Sequence, residues 1–553
     1  MADDKLQDDA LVQGIMRDQA RMEAERMPWE SVWREIDERV NPLGAGAFTG
    51  GKTPGSVRGA ANYDVTAVEG LDRFAAAMAA ITIPRNTQYI RLKFGDADLD
   101  KLPNVRRWCA QTADRLHAMR YAPHAGFQVQ GDEDFRQLGT YGTGALWTGE
   151  RPGLGLFYKT IHLSEIWIDE DFSGRVDTVH RKYELTARQC AQQFGEDALT
   201  GRMRDALRPG GNPDAKFEIL HVVRPNREIE REALDWRRLP VASIHVAIAD
   251  KVVLRRKGFH SMPISVSRHV TGPGDKYGQS PAMKVLPSIR TLNTVAHTLL
   301  RAAHKIVDPA LAFYDDDGIS SIITRPGGIT PGLVNERGQT LMARVPGPEG
   351  SDLPIGLEMM EGERRVVRTA FLEDFFKILT DPSDRMTATQ VIEMIGKQGV
   401  LVAPYAGRYE TEKQNPVTQR DLELAMLRGQ VEPLPEEARE AGAWPQTEYE
   451  NPLTRMARAE RAAGLARWIE AMAPLAQVDD GAVFDHIDTD EAAPGLADVL
   501  GVDPRWVATP DKVAAKRQAR EDAKAATAGV EQLQGAASAY ADLAKANQIS
   551  EAA

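Results

Sequence analysis

An α+β fold built on antiparallel sheet is predicted for this chain of 553 residues, and three observations predict it. First, residues 145 to 270 carry eight short β-rich runs with turn residues between them and no βαβ rhythm. Second, two long amphipathic helical patterns, 287–307 and 361–379, flank an insertion rich in Gly and Pro. Third, from about residue 431 the chain turns Ala-rich and helical. At this length one core is not enough, and two to four modules are expected.

Composition sets the outer bounds. Hydrophobic content of 42% and charged content of 27% are those of a soluble globular protein. No apolar run is long enough to cross a membrane. The acidic start MADDKLQDDALVQ lacks the basic and apolar regions of a secretory signal. Cys109 and Cys190 are too few for a disulfide framework or a cysteine zinc site. Both are expected reduced and buried, in a protein made in a cytoplasm. A net charge of −12 argues against a tight grip on nucleic acid, which needs clustered Lys and Arg. It leaves room for a surface along which nucleic acid slides without sticking.

The elements follow in order. Residues 11–40 read as a helix with Met16, Met22, Met27 and Ile36 among charges, stopping at Asn41-Pro42. Residues 43–60 read as a loop. Helices follow over VEGLDRFAAAMAAI, ending before Pro84, then Val105 to Met119 and Asp132 to Leu138. The β-rich runs are ALWTGE, GLFYKTI, EIWID, VDTVHRKYEL, KFEILHVV, ASIHVAI, KVVLRR and ISVSRHV, interrupted by the short helix TARQCAQQFG. GPGDKYGQSP reads as a hinge into the helix Pro287 to Val307, roughly 30 Å long, with Ile289, Leu292, Val295, Ala296, Leu299, Leu300, Ala303 and Ile306 at helical spacing. That helix stops at Asp308-Pro309, and short β-like runs fill 309–360. The second helix, 361–379, places Val367, Phe371, Phe375 and Leu379 on one face. Together they predict a hairpin stalk with a small head. A polar break carrying Asp381, Pro382, Ser383, Asp384 and Arg385 follows, and Thr387-x-x-Gln390 forms a capping box before Val391, Ile392, Met394 and Ile395. Near the end, Val530, Leu533, Ala537, Tyr540 and Leu543 recur at heptad-like spacing. No solenoid repeat is present.

One motif proposes catalysis. Gly46 to Thr53 reads GAFTGGKT, a full match to the P-loop pattern, and IWIDE at 166–170 resembles a magnesium-holding strand end. An ATPase would use Lys52 and Asp169. A P-loop, however, must follow a buried strand and open a helix whose amides hold phosphate. Here a charged helix precedes it and PGSVRG follows, which cannot continue a helix. A Gly-rich surface loop is the stronger reading. The eleven His are scattered, with no H-E-x-x-H, and no G-x-S-x-G occurs. Asp132-Glu133-Asp134 and Asp315-Asp316-Asp317 read as solvated turns or helix starts before they read as cation sites. Arg106-Arg107, Arg237-Arg238 and Arg255-Arg256-Lys257 lack interleaved aromatics and read as surface charge or salt bridges. No cofactor, metal or catalytic residue is expected.

Six segments, in order and covering most of the chain, resemble the portal proteins of podovirus-type bacteriophages, the head-to-tail connectors. They are RMEAERMPWESVWREIDERVNP, YDVTAVEGLDRFAAAMAAITIP, GRVDTVHRKYELTARQCAQQFG, DKYGQSPAMKVLPSIRTLNTVAHTLLRAAHKIVDPAL, DRMTATQVIEMIGKQGVLVAP and WVATPDKVAAKRQAR. Gln390 stands where Glu is usual and still completes the capping box, and Tyr89 stands where Trp is common. The resemblance implies a portal-protein fold. Residues 1–285 would be the wing, 286–308 and 361–379 the two-helix stem, and 309–360 the clip. The tunnel loop would be 380–386, the wing helix and return 387–430, and a helical crown with a possible barrel 431–553. It also implies a homo-oligomeric ring, usually a dodecamer, at one capsid vertex, with double-stranded DNA passing through. Terminase large subunit and later a tail adaptor protein would dock on it, beside the major capsid or scaffolding protein, with no membrane involved. It would be assembled in the host cytoplasm and located in the virion. Asp381, Ser383, Asp384 and Arg385 would line the channel, with Lys377 in the stem.

Three functions are therefore weighed: a structural DNA conduit, a packaging ATPase using Gly46–Thr53, and a helical scaffold or adaptor without a channel. The first two separate in one assay. The purified protein is expected to hydrolyse no ATP above background, and Lys52→Ala to change nothing; turnover abolished by that substitution would restore the ATPase.

Overall fold

The computed structural model describes residues 2–50, 62–227, 229–230, 232–313, 353–373, 407–450 and 512–524, with shorter stretches at 55–59, 323–347, 405 and 464–508. It divides into two compact units, one of residues 1–89 and 115–431, the other of 90–114 and 432–553.

The first unit begins with α1 (Ala2–Arg39), which starts earlier than its sequence pattern suggests. Its inner face is Val12, Ile15, Gln19, Met22, Arg26, Trp29, Trp33 and Ile36, running on to Val40 in alternating steps of three and four. All are buried except half-buried Trp29. Of the four residues expected inside, Met22 and Ile36 are buried and Met16 packs partly, but Met27 is 69% exposed. Two polar residues in core positions hide the stripe from a hydrophobic count. Gln19 meets the ring of His180 at 2.9 Å. Arg26 donates to the carbonyls of Ser164 and Ile166 and lies 4.2 Å from the Trp167 ring centre.

The chain continues through α2 (Thr66–Thr82), β1 (Ile90–Lys93), α3 (Pro103–Arg120) and α4 (Phe127–Tyr141). Gly142 then turns directly into β2 (Thr143–Arg151) with φ of 73°, and a Cβ there would lie 2.4 Å from the Gly278 carbonyl oxygen. Only glycine suits both the left-handed backbone and the close approach. The strands β3 (Gly155–Ile161), β4 (Ile166–Glu170), β5 (Val176–Thr186), β6 (Lys216–Pro225), β7 (Val241–Ala247), β8 (Val252–Phe259) and β9 (Ile264–Arg268) follow. Every one falls on a run read from the sequence. They form two antiparallel sheets, one ordered β3-β2-β9 and one β4-β5-β6-β7-β8.

The five-stranded sheet is covered on both faces. Val12 and Ile15 of α1 pack on Leu220, Val222, Ile244 and Val246. On the other face, α5 (Ala187–Phe194) and α6 (Gly201–Leu207) set Cys190, Leu199 and Met203 on Ile219, Ala247 and Leu254. A capping box opens α5: Gln189 N donates to Thr186 Oγ1 at 3.3 Å, and Thr186 N donates to Gln189 Oε1 at 2.9 Å. A central cluster including Trp33, Tyr141, Ile161, Ile166, Val266 and Tyr277 joins the two sheets.

After α7 (Pro281–Lys284), α8 (Leu286–Val307) matches the first long helix. The insertion contains a small antiparallel pair, β10 (Leu311–Phe313) with β11 (Met342–Arg344). The second long helix, α9 (Leu353–Ala370), begins eight residues before the expected 361. Pro354 made that stretch look like loop, but it occupies the first turn, where no amide hydrogen bond is lost. Val367 and Phe371 are buried as expected, while Phe375 and Leu379 lie outside the described residues.

A π-turn, Glu410–Gln414, leads into α10 (Asn415–Leu427). Its extra residue per turn aims three successive side chains at three targets. Glu412 accepts from Arg268 at 2.7 Å, and Gln414 donates to the Thr82 carbonyl at 2.5 Å. Lys413 Nζ bonds Asp134 Oδ1 at 2.8 Å, Ser265 O at 2.9 Å and Gly144 O at 3.2 Å. A second buried pair, Arg120–Asp421 at 2.6 Å, is completed by Tyr89 and Thr418.

In the second unit, β1 pairs antiparallel with β12 (Gln446–Tyr449), flanked by the ion pairs Arg91–Glu450 at 2.6 Å and Lys93–Glu448 at 2.9 Å. Trp108 stacks near Phe94 and donates to the Glu432 carbonyl at 3.0 Å, close to the short helix α11 (Glu436–Glu440). Residues 512–524 are helical, as the Ala-rich pattern predicts; the heptad-like stretch 530–543 lies outside the described residues. No helix among the described residues is long and apolar enough to cross a membrane.

Removing one partner of a buried ion pair strands the other. Lys413→Met is expected to cost about 3–5 kcal/mol, read as a lower urea midpoint. Lys413→Met with Asp134→Leu should recover most of it, because no unpaired charge remains.

Candidate functional site

The proposed nucleotide pieces are not assembled into a site. Residues 46–50 form turns after α1, not after a strand, and Lys52 lies outside the described residues. Phe48, in the middle of the motif, is packed inward, 5.5 Å from the Trp33 ring centre and 5.4 Å from Tyr141. Asp169 sits on β4, an edge strand of an antiparallel sheet, and is engaged by Arg21 and by Lys276 at 2.7 Å. The same two cations also hold Glu25, closing a four-residue ring of charge. Burial raises the Asp169 carboxyl, but Lys276 and Arg21 outweigh it and hold the group below its usual range. A magnesium ion would have to displace both.

The other polar candidates are structural too. Asp134 of the first acidic triplet is fully buried on Lys413, and burial pushes its carboxyl up. The triplet at 315–317 lies outside the described residues. Arg237 pairs with Asp235 and Glu230, and Arg256 with Asp8, within the chain. Both cysteines are buried and free, and burial lifts the Cys109 thiol to about 12. Among the described residues no group of three His, Cys, Asp or Glu is placed to hold a metal.

What the fold does present is the α8–α9 hairpin. Its inner seam is Leu292, Ala296 and Met360, with Val295 and Leu299 alongside. Gly356 makes the close approach possible: a Cβ there would come within 2.4 Å of Leu299 Cδ2. At its root, Arg290 pairs with Glu35, the Tyr63 amide donates to Asn293 at 2.7 Å, and Arg364 holds Asp64 at 2.8 Å. Outside the seam, Ile355, Met359 and Val366 recur with Gly362 at i, i+4, i+7 and i+11 on α9. Leu300 and Val307 stand exposed on α8, and none of these five side chains is less than 47% exposed. A third stripe is polar: Arg290, Thr294, Thr298, Arg301 and Lys305 descend one side of α8. A hydrophobic count cannot separate the exposed apolar residues from the seam, because both are apolar and helical in period.

Lys377, Asp381, Ser383, Asp384 and Arg385, with the Thr387–Gln390 box, lie outside the described residues. The anchors on either side of them are described. Phe371 packs against Phe74 at 6.3 Å, Phe74 meets His269 at 5.9 Å, and His269 stacks on Tyr405 at 4.4 Å and 10°. Phe371 and Tyr405 are thus linked through the two intervening rings of Phe74 and His269. Glu373, 4% exposed, adds an ion pair to Arg73 at the exit. No local pattern in the sequence signals this stack, whose four rings come from four distant segments.

The family of bacteriophage head to tail connecting proteins matches residues 13–507. The chain belongs to that family. This connector is a structural phage protein with a portal role, not an enzyme. It is 25% identical over 508 residues to the probable portal protein of Bordetella phage BPP-1, covering 91% of this chain and 90% of that one. It is 24% identical over 537 residues to the portal protein of Salmonella phage epsilon15, covering 95% and 93%. Among solved structures it is similar to a chain in the neck of the empty GTA particle computed with C6 symmetry. There the identity is 14%, the coverage 73% and 85%, and the TM-score 0.37. A chain in the neck of the native GTA particle computed with C12 symmetry gives 13%, 74% and 86%, with a TM-score of 0.35.

The aromatic stack supplies a direct test of the anchors. Phe371→Ala is expected to destabilise the connector by about 3–5 kcal/mol, seen as a lower thermal midpoint.

Proposed function

We propose that copies of this chain close into a ring, a dodecamer by family resemblance, that conducts double-stranded DNA through one vertex of the phage head. The α8–α9 hairpin is its stem, and 380–386 is its tunnel loop. One observation carries the proposal: exposed apolar side chains line both helices of one hairpin, Leu300 and Val307 on α8 and Ile355, Met359 and Val366 on α9. An exposed apolar stripe of this kind marks an interaction surface. Two different surfaces pairing head-to-tail generate a ring when the rotation closes.

The charge distribution suits a passive conduit. Each phosphate neutralised adds salt-sensitive affinity, so a channel for moving DNA works best when its cations are few and spaced. The chain is net acidic at −12, and the polar stripe of α8 spaces Arg301 and Lys305 among hydroxyls. Lys377 in the stem and Asp381, Ser383, Asp384 and Arg385 in the loop line the narrowest passage. The aromatic stack at Phe371 and Tyr405 supports that placement by fixing where the segment leaves and returns. Terminase large subunit docks on the insertion between the stem helices during packaging, and a tail adaptor protein replaces it. The wing meets the major capsid or scaffolding protein. Assembly takes place in the host cytoplasm, and the mature location is the portal vertex of the virion.

Symmetry-averaged electron microscopy of the purified protein is expected to show rings with a central hole; compact monomers alone would overturn the proposal. Val366→Glu should convert rings to smaller species on size exclusion while leaving far-UV dichroism unchanged. A ring that places Asp381, Asp384 and Arg385 on its outer surface would remove the tunnel-loop assignment and leave the stem intact.

A further inference from the structure

The five-stranded sheet carries a row of basic groups with no biological role assigned to it. Register sets Arg181 of β5 opposite His221 of β6, His221 opposite His245 of β7, and His245 opposite Arg255 of β8. Residues directly opposite one another in a sheet share a face. The two imidazoles stack at 3.9 Å and 10°, between two guanidinium groups.

Among the described residues no carboxylate is bonded to either imidazole. Within the sheet the row is flanked by Tyr183 of β5, Lys257 of β8 and Ser243 of β7, whose hydroxyl lies 2.9 Å from His221 Nε2. Trp147 of β2 closes over His221, and Phe194 of α5 over His245. Glu165 is bonded to Arg181, and Arg255 donates to the Gln193 carbonyl. His245 Nδ1 has no hydrogen-bond partner. A proton added to either ring would therefore place a buried charge beside other cations.

We infer that the α5–α6 layer is an acid-released cover: protonation of the His221–His245 pair drives these two helices off the sheet. The cover lies on the same face as the pair, with Cys190, Leu199 and Met203 packed on the sheet beside it. Opening there lifts Phe194 from His245 and lets water solvate the imidazolium. Burial, then the neighbouring ring and both arginines, hold His221 well below the ordinary histidine value; burial and Arg255 hold His245 down at about 3. In the open state both return towards about 6.5. The closed state is therefore favoured above that value and is lost as pH falls towards the closed-state values. Each imidazole multiplies the opening equilibrium by up to about tenfold per pH unit. The inference is independent of whether the connector forms a ring.

Hydrogen exchange of the full chain between pH 7.5 and pH 4.5, corrected for intrinsic rates, tests it. Residues 187–207 are expected to lose protection first as pH falls from about 6.5, ahead of residues 12–36, with a slope approaching two protons. His221→Gln or His245→Gln should each halve that slope, while His180→Gln, on the α1 face, leaves it unchanged. An unaltered slope in both variants, or a slope abolished by His180→Gln, would overturn the inference. If the variants do not fold, the order of loss in the natural protein decides: protection lost first or simultaneously in 12–36 refutes it.

Discussion

One buried ammonium group closes this fold. Lys413 is sequestered beneath α10 and bonds a carboxylate on α4 and two strand-edge carbonyls, from Gly144 and Ser265. Burial pushes the lysine down and Asp134 up, and their mutual attraction works against both tendencies. Lys413 and Asp134 form a direct buried ion pair at 2.8 Å, so each makes the other's burial tolerable. The geometry depends on the π-turn. From that turn Glu412, Lys413 and Gln414 reach β9, α4 and α2 in succession. The turn thus ties the chain to all three elements ahead of α10.

The same principle recurs through the wing. Core positions are repeatedly given to polar side chains whose partners lie far away in sequence: Gln19 to His180, Arg26 to the carbonyls before β4, Arg120 to Asp421. Each such group must find its own hydrogen bonds, and only one arrangement of helices and sheets supplies them all. Apolar packing alone would tolerate small shifts of α1 along the sheet; Arg26 between Trp167 and two backbone carbonyls does not. The α8–α9 hairpin is anchored on this framework at Glu35, Asp64 and, through Phe371, Phe74.

Much of the architecture was legible in the residues. Strand positions could be read because β-branched and aromatic runs are short and bounded by turn chemistry, and the ends of α2 and α8 because proline and polar residues mark them. The errors share a cause. Arg26 and Gln19 concealed the inner face of α1, so exposed Met27 was counted as core. Pro354 concealed the start of α9, since proline in a first turn looks locally like proline in a loop. GAFTGGKT was set aside on its sequence context, and the structure adds what that context could not show: Phe48 packs against Trp33 and Tyr141, and Asp169 is held by two cations. The family resemblance was carried by six ordered segments, and the family match over residues 13–507 agrees with it.

The sequence by itself determined the order and type of elements, the antiparallel character of the sheets, and the acidic balance suited to a conduit. These follow from local propensity, period and charge, all of which one stretch of chain can express alone. Only the tertiary structure decided which polar residues are inside, that β9 pairs with β2 rather than extending the five-stranded sheet, and that Phe371 and Tyr405 meet on one aromatic stack. Such pairings depend on contacts between residues hundreds of positions apart. Their free energy arises from exclusion of water around groups that no local window brings together.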